Sequence, residues 1–437
     1  MSLLKTFRVD KTQPVHPITF MFLYMPFGIF NGFISVTMGF LLTKAGVSLA
    51  GVASIVSLPY LPNILKFLWA PLVDTTLTVK TWYRIANVGT VIGILATSVI
   101  PHNSHFLPLL MVVVFLTAVA NTNIAMTTES LIAQEVPDEH KGRAGGWLQA
   151  GNLGGFGIGG GAGIWLTERM PAHWISGAVI ALVSLLCGLG LLFLKDPAPF
   201  KREETYLKTI GTLGKEIWVL VKSRGGFLAL TLCFLPVGSG AASNLWSSIS
   251  GDWHASPDAV ALAVGIVGGV ASAIGSLLGG WIADKMDRKK AYILFGLLEG
   301  GAALLMALSP RTQLMFMIWT TIYAITVGLA FAGFSAFVLE AIGKVGAATK
   351  YNFFAALSNI PIYSMIFVDE WAHNKWSSTG ILTAETVMPV LGAILFISVL
   401  FFSRMNRKPS EKIDEDELFN PLGRCRKEYG FRKFAGR

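Results

Sequence analysis

Twelve apolar stretches, each about as long as a helix that crosses the roughly 30 Å hydrocarbon layer, fill nearly the whole of this 437-residue chain. They fall at 17–42, 51–72, 82–100, 107–133, 144–166, 174–194, 225–250, 260–283, 291–308, 313–339, 351–368 and 383–402, numbered here as spans 1 to 12. With 53% hydrophobic and 14% charged residues, against roughly 25% charged in an average soluble domain, no single aqueous core could hide that much apolar surface. Lipid gives backbone amides no hydrogen-bond partner, so the spans are expected to be helices. The period-two alternation of a membrane barrel is absent.

Orientation follows from the 35 Lys and Arg. If both termini are cytoplasmic, all of them fall on the inner side except Lys66, inside span 2, and Lys44, Arg169, Arg311 and Lys375, outside. That asymmetry is the positive-inside pattern. The net charge of +9 therefore reads as topology and contact with anionic headgroups, not as nucleic-acid binding. Cys187 and Cys233 lie in spans and Cys425 in the tail, so no disulfide is expected. The apolar stretch after the polar first sixteen residues is longer than a signal-peptide core and lacks a small-residue cleavage site, so it is expected to remain as span 1.

Shifted against itself by about 210 positions, the chain shows a weak internal repeat of the kind transporter folds carry. Pro26 and Gly28 match Pro236 and Gly238, Asp74 matches Asp284, Glu129 matches Glu340, and Arg143 and Asn152 match Lys350 and Asn359. The expected organisation is a cytoplasmic N-terminus (1–16), a six-helix bundle (17–194), a linker (195–224), a second six-helix bundle (225–403) and a charged cytoplasmic tail (404–437). In the linker, Tyr206, Ile210, Leu213, Ile217 and Val221 share one helical face, which reads as an amphipathic helix on the inner leaflet. A solvated linker is the alternative.

The sharpest local motif is Gly280-Trp281-Ile282-Ala283-Asp284-Lys285-Met286-Asp287-Arg288-Lys289, in the short inner loop after span 8. It resembles the signature loop of the major facilitator superfamily, with Asp287 where that family usually has Gly. A degenerate copy, Ala70-Pro71-Leu72-Val73-Asp74 with Arg84 beyond it, follows span 2. The resemblance implies an all-α membrane protein of two pseudo-symmetric six-helix bundles, working by alternating access, in which the loop's charges latch one access state. A tight turn with topogenic charge is the plainer reading. A narrower resemblance, to the muropeptide permease and acetyl-coenzyme A transporter branch with its siderophore importers, rests on Leu65–Asp74, Ala120–Thr127, Glu340, Thr349-Lys350-Tyr351 and Ser358-Asn359. Where that branch usually carries two aspartates in span 4, this chain has Asn123 and Thr127, which take up no proton.

Acids inside a bundle are costly and are functional candidates by default. Glu129 and Glu340, near the inner ends of spans 4 and 10, fit either proton coupling or an inner-gate ion pair with basic residues nearby. Glu299, mid-span 9, fits coupling or a bond to a neighbouring helix, since the resemblance places spans 3, 6, 9 and 12 on the outer scaffold. Lys66 fits an anion-attracting group at the cavity floor or a side chain snorkelling to the inner interface. The resemblance lines the cavity with spans 1, 4, 7 and 10 and the edges of 2, 5, 8 and 11. The candidate binding residues there, besides Lys66, are Tyr24, Asn31, Asn121, Asn123, Gln149, Asn244, Trp246, Tyr323, Asn352 and Tyr363, with the repeat-related Asn152 and Asn359 read as structural. Amides and aromatic rings suit a bulky polar solute, and amides also glue helices together. Eight glycines within 151–163 point to close helix packing.

All seven histidines lie in loops or at span edges, so no metal or haem site is expected in the bundle, and no catalytic triad is visible. The absence of a phosphate-binding Gly-x4-Gly-Lys-Ser/Thr loop excludes an intrinsic ATPase pump. The sequence thus describes a cofactor-free, monomeric carrier of the inner (plasma) membrane. Its expected task is gradient-driven uptake of a muropeptide-like or siderophore-like solute with a proton as co-ion. The alternatives are an acetyl-coenzyme A or other anionic nucleotide-bearing cargo, and a gradient-independent facilitator.

Overall fold

The computed structural model describes residues 18–136, 141–194, 221–342 and 353–405, with His16 and scattered positions between 211 and 219. The proposed linker helix, Lys350, Asn352 and the charged tail lie outside the described residues. Every regular element among the described residues is helical. Eight helical segments among them are long and apolar enough to cross a membrane. Large apolar side chains such as Leu192, Leu277 and Leu308 stand exposed on these helices, as lipid-facing surface requires. The chain divides into two compact units, 1–392 and 393–437. In the second, helix continues to Met405, with Ser398 Oγ bonding back to the Ile394 carbonyl at 2.9 Å.

Short polar residues start the helices of the first unit. Ser48, Thr78, Ser223 and Ser256 each accept a backbone N–H in the first turn of the helix they precede, satisfying donors that a helix start leaves free. Asp287 does the same for Arg288–Leu308, accepting from Lys290 N at 2.9 Å. Its departure from the family's glycine therefore gives span 9 an N-cap.

The glycine run of span 5 lies in Lys141–Gly157, the π-helical Ile158–Ala162 and Gly163–Arg169. One face of it meets span 1 backbone to backbone. A Cβ on Gly151, Gly155 or Gly159 would lie 2.3, 2.3 and 1.9 Å from the carbonyl oxygens of Met21, Met25 and Ile29. The other face meets span 8, where a Cβ on Gly265 would lie 2.3 Å from Gly161 Cα. Only glycine permits such approach.

Two spans differ from the sequence expectation. Span 7 is not one helix: Arg224–Phe234 ends, and after a non-helical stretch short turns Ala241–Asn244 and Trp246–Ile249 resume. Gly238 and Gly240 both take φ of +66°, a left-handed conformation suited to glycine. Span 11 does not stop at Val368; helix runs on to a kink at Trp376 and Ser377 before turning into span 12. The polar residues from Asp369 read as a loop, yet Asp369 is fully buried.

Candidate transport site and its gates

Asn244, just past the break in span 7, joins three spans. Its Oδ1 accepts from Ser35 Oγ of span 1 at 2.8 Å and from Tyr60 Oη of span 2 at 3.0 Å. Ser247 and Ser248 add longer contacts of 3.4 Å to the span 1 carbonyls of Ser35 and Gly39. Arg169 after span 5 makes two parallel bonds, 3.0 and 3.2 Å, to Asp258 before span 8. That bonding raises the guanidinium pKa above its ordinary value. Polar contacts thus tie spans 1, 2 and 5 to spans 7 and 8. The Arg169–Asp258 pair is exposed, and exposed pairs contribute little. Asp258→Asn is accordingly expected to change the maleimide alkylation rate of a cysteine placed at Ser248 less than about twofold; a tenfold rise would make this pair the main lock of the junction.

Beneath this junction, a carboxyl cluster surrounds the span 7 break. Glu299, Asp369 and Glu385 are all fully buried. Glu299 Oε1 accepts from Gly240 N at 2.8 Å, and Glu385 Oε1 accepts from Ala242 N at 3.2 Å. Tyr323 Oη lies 3.2 Å from Glu299 Oε1 and 2.5 Å from Glu385 Oε2. The Asp369 carboxyl faces Glu385. Gly300 lets spans 9 and 12 approach, since a Cβ there would lie 3.1 Å from the Glu385 carbonyl oxygen. Sequence reasoning found Glu299 and Tyr323 and missed the other two, although Glu385 falls inside span 12 and the rule that flags intramembrane acids applies to it equally.

The remaining candidates are dispersed. Tyr24 Oη donates to Glu129 Oε1 at 3.3 Å. Asn121 and Asn123 are buried, each giving its Nδ2 to a backbone carbonyl, of Phe27 and Val119, while both Oδ1 atoms lack a donor. Gln149 is exposed and accepts from Asn152 at 3.4 Å. Trp246 stacks edge to face on Tyr323, ring centroids 5.2 Å apart, so both belong to the wall between the outer junction and the carboxyls. Asn31 and Tyr363 are half-buried, and Tyr363 packs on Phe367. Lys66 is half-buried with no ion partner among the described residues. Its neighbour Phe67 meets Phe353 of span 11 edge to face at 6.1 Å. Around the loops that follow spans 2 and 8, Arg84 and Asp284 are exposed, while Arg288 and Lys289 are half-buried and engaged. The side chains of Asp74, Arg143 and Glu340 lie outside the described residues. Among the described residues, no group of three or more His, Cys, Asp and Glu side chains is arranged to hold a metal ion.

This architecture is that of a polytopic membrane carrier, and sequence comparison agrees. The family model of the Major Facilitator Superfamily matches residues 19–247 and 228–434. The chain belongs to that superfamily. It is similar in structure to a D-xylose–proton symporter, at a TM-score of 0.66 and 13% identity over 86% of this chain and 96% of that one. The nucleoside transporter NupG, in mutant form, aligns at 0.64 and 11% identity over 87% and 98%. A POT family transporter in complex with a thioalcohol-conjugated peptide aligns at 0.65 and 11% over 90% and 96%. No curated protein matches the chain significantly in sequence.

Proposed function

We propose that this superfamily member is a proton-coupled symporter of the inner (plasma) membrane, with cytoplasmic termini and two six-helix bundles, that takes up a bulky polar solute of the muropeptide or siderophore kind. The observation that carries alternating access is the outer junction. Asn244, Ser35 and Tyr60 are directional hydrogen bonds between side chains of opposite bundles, which water can replace when the bundles part. Discontinuous helices near the midplane are where secondary transporters build their sites, and the span 7 break is of that type. Unpaired amide oxygens of Asn121 and Asn123 supply acceptors toward a solute with several donors. The xylose symporter and the POT transporter, whose titles name a proton and a peptide, make proton coupling and a peptide-bearing cargo natural within this fold.

Reconstitution into liposomes with imposed proton or sodium gradients and a panel of muropeptides, siderophores, sugars and nucleosides tests the reading. Saturable uptake accelerated by an inward proton gradient is expected. Uptake that rises linearly with concentration, or that ignores every gradient, would overturn the symport assignment.

A second reading is favoured by Lys66 alone. A half-buried ammonium with no ion partner among the described residues suits an anionic cargo such as a coenzyme A ester. Lys66→Gln is expected to reduce uptake of such an anion at least tenfold if this reading holds; unchanged uptake removes it.

A further inference from the structure

Around the span 7 break, buried carboxyl oxygens lack hydrogen-bond partners among the described residues. Tyr323 Oη lies within hydrogen-bond distance of both Glu299 and Glu385, and the Asp369 carboxyl faces Glu385. Each hydrogen bond needs one hydrogen between its oxygens, and the phenol brings only one. A proton held on a carboxyl would supply the next. Among the described residues, Asp369 has no N–H or O–H donor for either oxygen, and neither has Glu299 Oε2, although all three atoms are buried. An uncompensated carboxylate at such depth is costly.

Among the described residues, the following charged and titratable groups lie around the cluster. Span 10 contributes Tyr323, and span 9 contributes Glu299 and Tyr292, whose hydroxyl bonds the Val237 carbonyl. Span 7 contributes backbone amides and, beside Tyr292, the buried thiol of Cys233. At the outer rim, Arg311 is engaged by Ser378, Thr379 and Asp252, and His373 faces Asp252 and Glu370. No lysine, arginine or histidine among the described residues pairs with the three carboxyls.

Counted from the outer helix ends at 1.5 Å per residue, Glu299, Asp369 and Glu385 all lie about 12 Å deep. A pocket of about 20 Å³, room for one water, abuts the break and is lined by Gly238, Ser239, Tyr292 and Ser358 among others.

We propose that Asp369 and Glu385, with Glu299 and Tyr323, form the site that binds the co-transported proton, and that its occupancy sets the outer gate through the broken segment of span 7. The proposal deepens the proton-coupled reading given above and rests on it. With the proton bound between Asp369 and Glu385, Glu385 and Glu299 hold the amides of Ala242 and Gly240, and Asn244 two residues further on stays seated on Ser35 and Tyr60. Release of the proton leaves two carboxylates in contact in a low dielectric. Their repulsion moves Glu385, frees Ala242 and unseats Asn244. The loaded site therefore belongs to the outer-closed state, and the empty site opens outward to be refilled.

Two measurements on the full-length protein in nanodiscs test this without any transported solute. Infrared spectroscopy should find a buried, protonated carboxyl band that diminishes as pH rises and is weakened in Asp369→Asn and Glu385→Gln. Tyr323→Phe, which keeps the ring but removes the phenol hydrogen, should shift the same band. Spin labels at exposed Ala45 and Lys375, with Cys425 replaced by Ser, should report an outer distance that lengthens at high pH in the unsubstituted protein. Asp369→Asn and Glu385→Gln, permanently neutral, should hold it short or move the midpoint by at least about one pH unit, a tenfold change in proton concentration. A missing carboxyl band, or an outer distance with the same pH response in monodisperse variants, would overturn the proposal. Proton-driven uptake undiminished in both variants would also overturn it while leaving symport standing. Failure of uptake under every gradient, with band and pH response intact, would instead remove the symport reading.

Discussion

Gly159→Ala is expected to abolish recovery of folded protein. The added Cβ would lie 1.9 Å from the Ile29 carbonyl oxygen and 2.7 Å from Phe33 N, both backbone atoms of span 1 with no flexible side chain to yield. Overpacking costs about 1–3 kcal/mol where neighbours can shift, and here the penalty should exceed that range. The same site also holds Thr37, whose hydroxyl donates to the Gly159 carbonyl at 2.8 Å. Gly154→Ala is the matched control. Nothing lies within 4 Å of its Cβ position, and alanine is the better helix former by about 1 kcal/mol, so its thermal midpoint should hold or rise. Detergent extraction followed by size-exclusion chromatography separates the cases; a monodisperse Gly159→Ala protein with an unchanged melting midpoint would show that spans 1 and 5 are not in backbone contact.

Asn244→Ala should have the largest effect on gating. In the outer-closed state it strands the hydroxyls of Ser35 and Tyr60, each at about 1–3 kcal/mol for a buried unsatisfied group. In an outward-open state water satisfies both. At 1.4 kcal/mol per factor of ten, the outer junction should loosen by roughly 30-fold or more. A cysteine placed at Ser248, buried against span 1, reports it through alkylation by an impermeant maleimide, with Cys425 replaced by Ser. Acceleration by at least about tenfold is expected. An unchanged rate would mean the Asn244 bridge does not close the outer side.

Much of this was legible in the residues because membranes leave few options. Apolar length announced membrane-crossing helices, and the glycine run announced close packing. What misled was symmetry. Pro26 and Gly28 correspond to Pro236 and Gly238, which suggests equal behaviour, yet span 1 stays helical through its pair. Gly28 faces the Asn152 carbonyl, where a Cβ would lie 2.0 Å away, and uses glycine for smallness. Gly238 instead uses it for backbone freedom, with φ of +66°. A sequence cannot say which property is spent. Asp369 went unread because a polar run after an apolar stretch looks like a loop, and only tertiary packing tells that Glu385 and Tyr323 cover it. The dispersed binding candidates show the remaining limit: an amide in a helix is equally suited to a cargo and to a neighbouring carbonyl, as Asn121 illustrates by its bond to Phe27.

The glycine seam between spans 5 and 8 also bears on the speed of transport. Interlocked side chains behave like meshed gears and must lift out of register before two helices can swivel. Where Gly157 and Gly161 face Gly265 and Ala261, main chain lies on main chain with no teeth to disengage. Such a joint turns like a plain bearing, so the barrier to reorientation falls on the Asn244 bridge to Ser35 and Tyr60, and turnover should respond to its removal more steeply than to any change in the bulk of the lipid-facing residues.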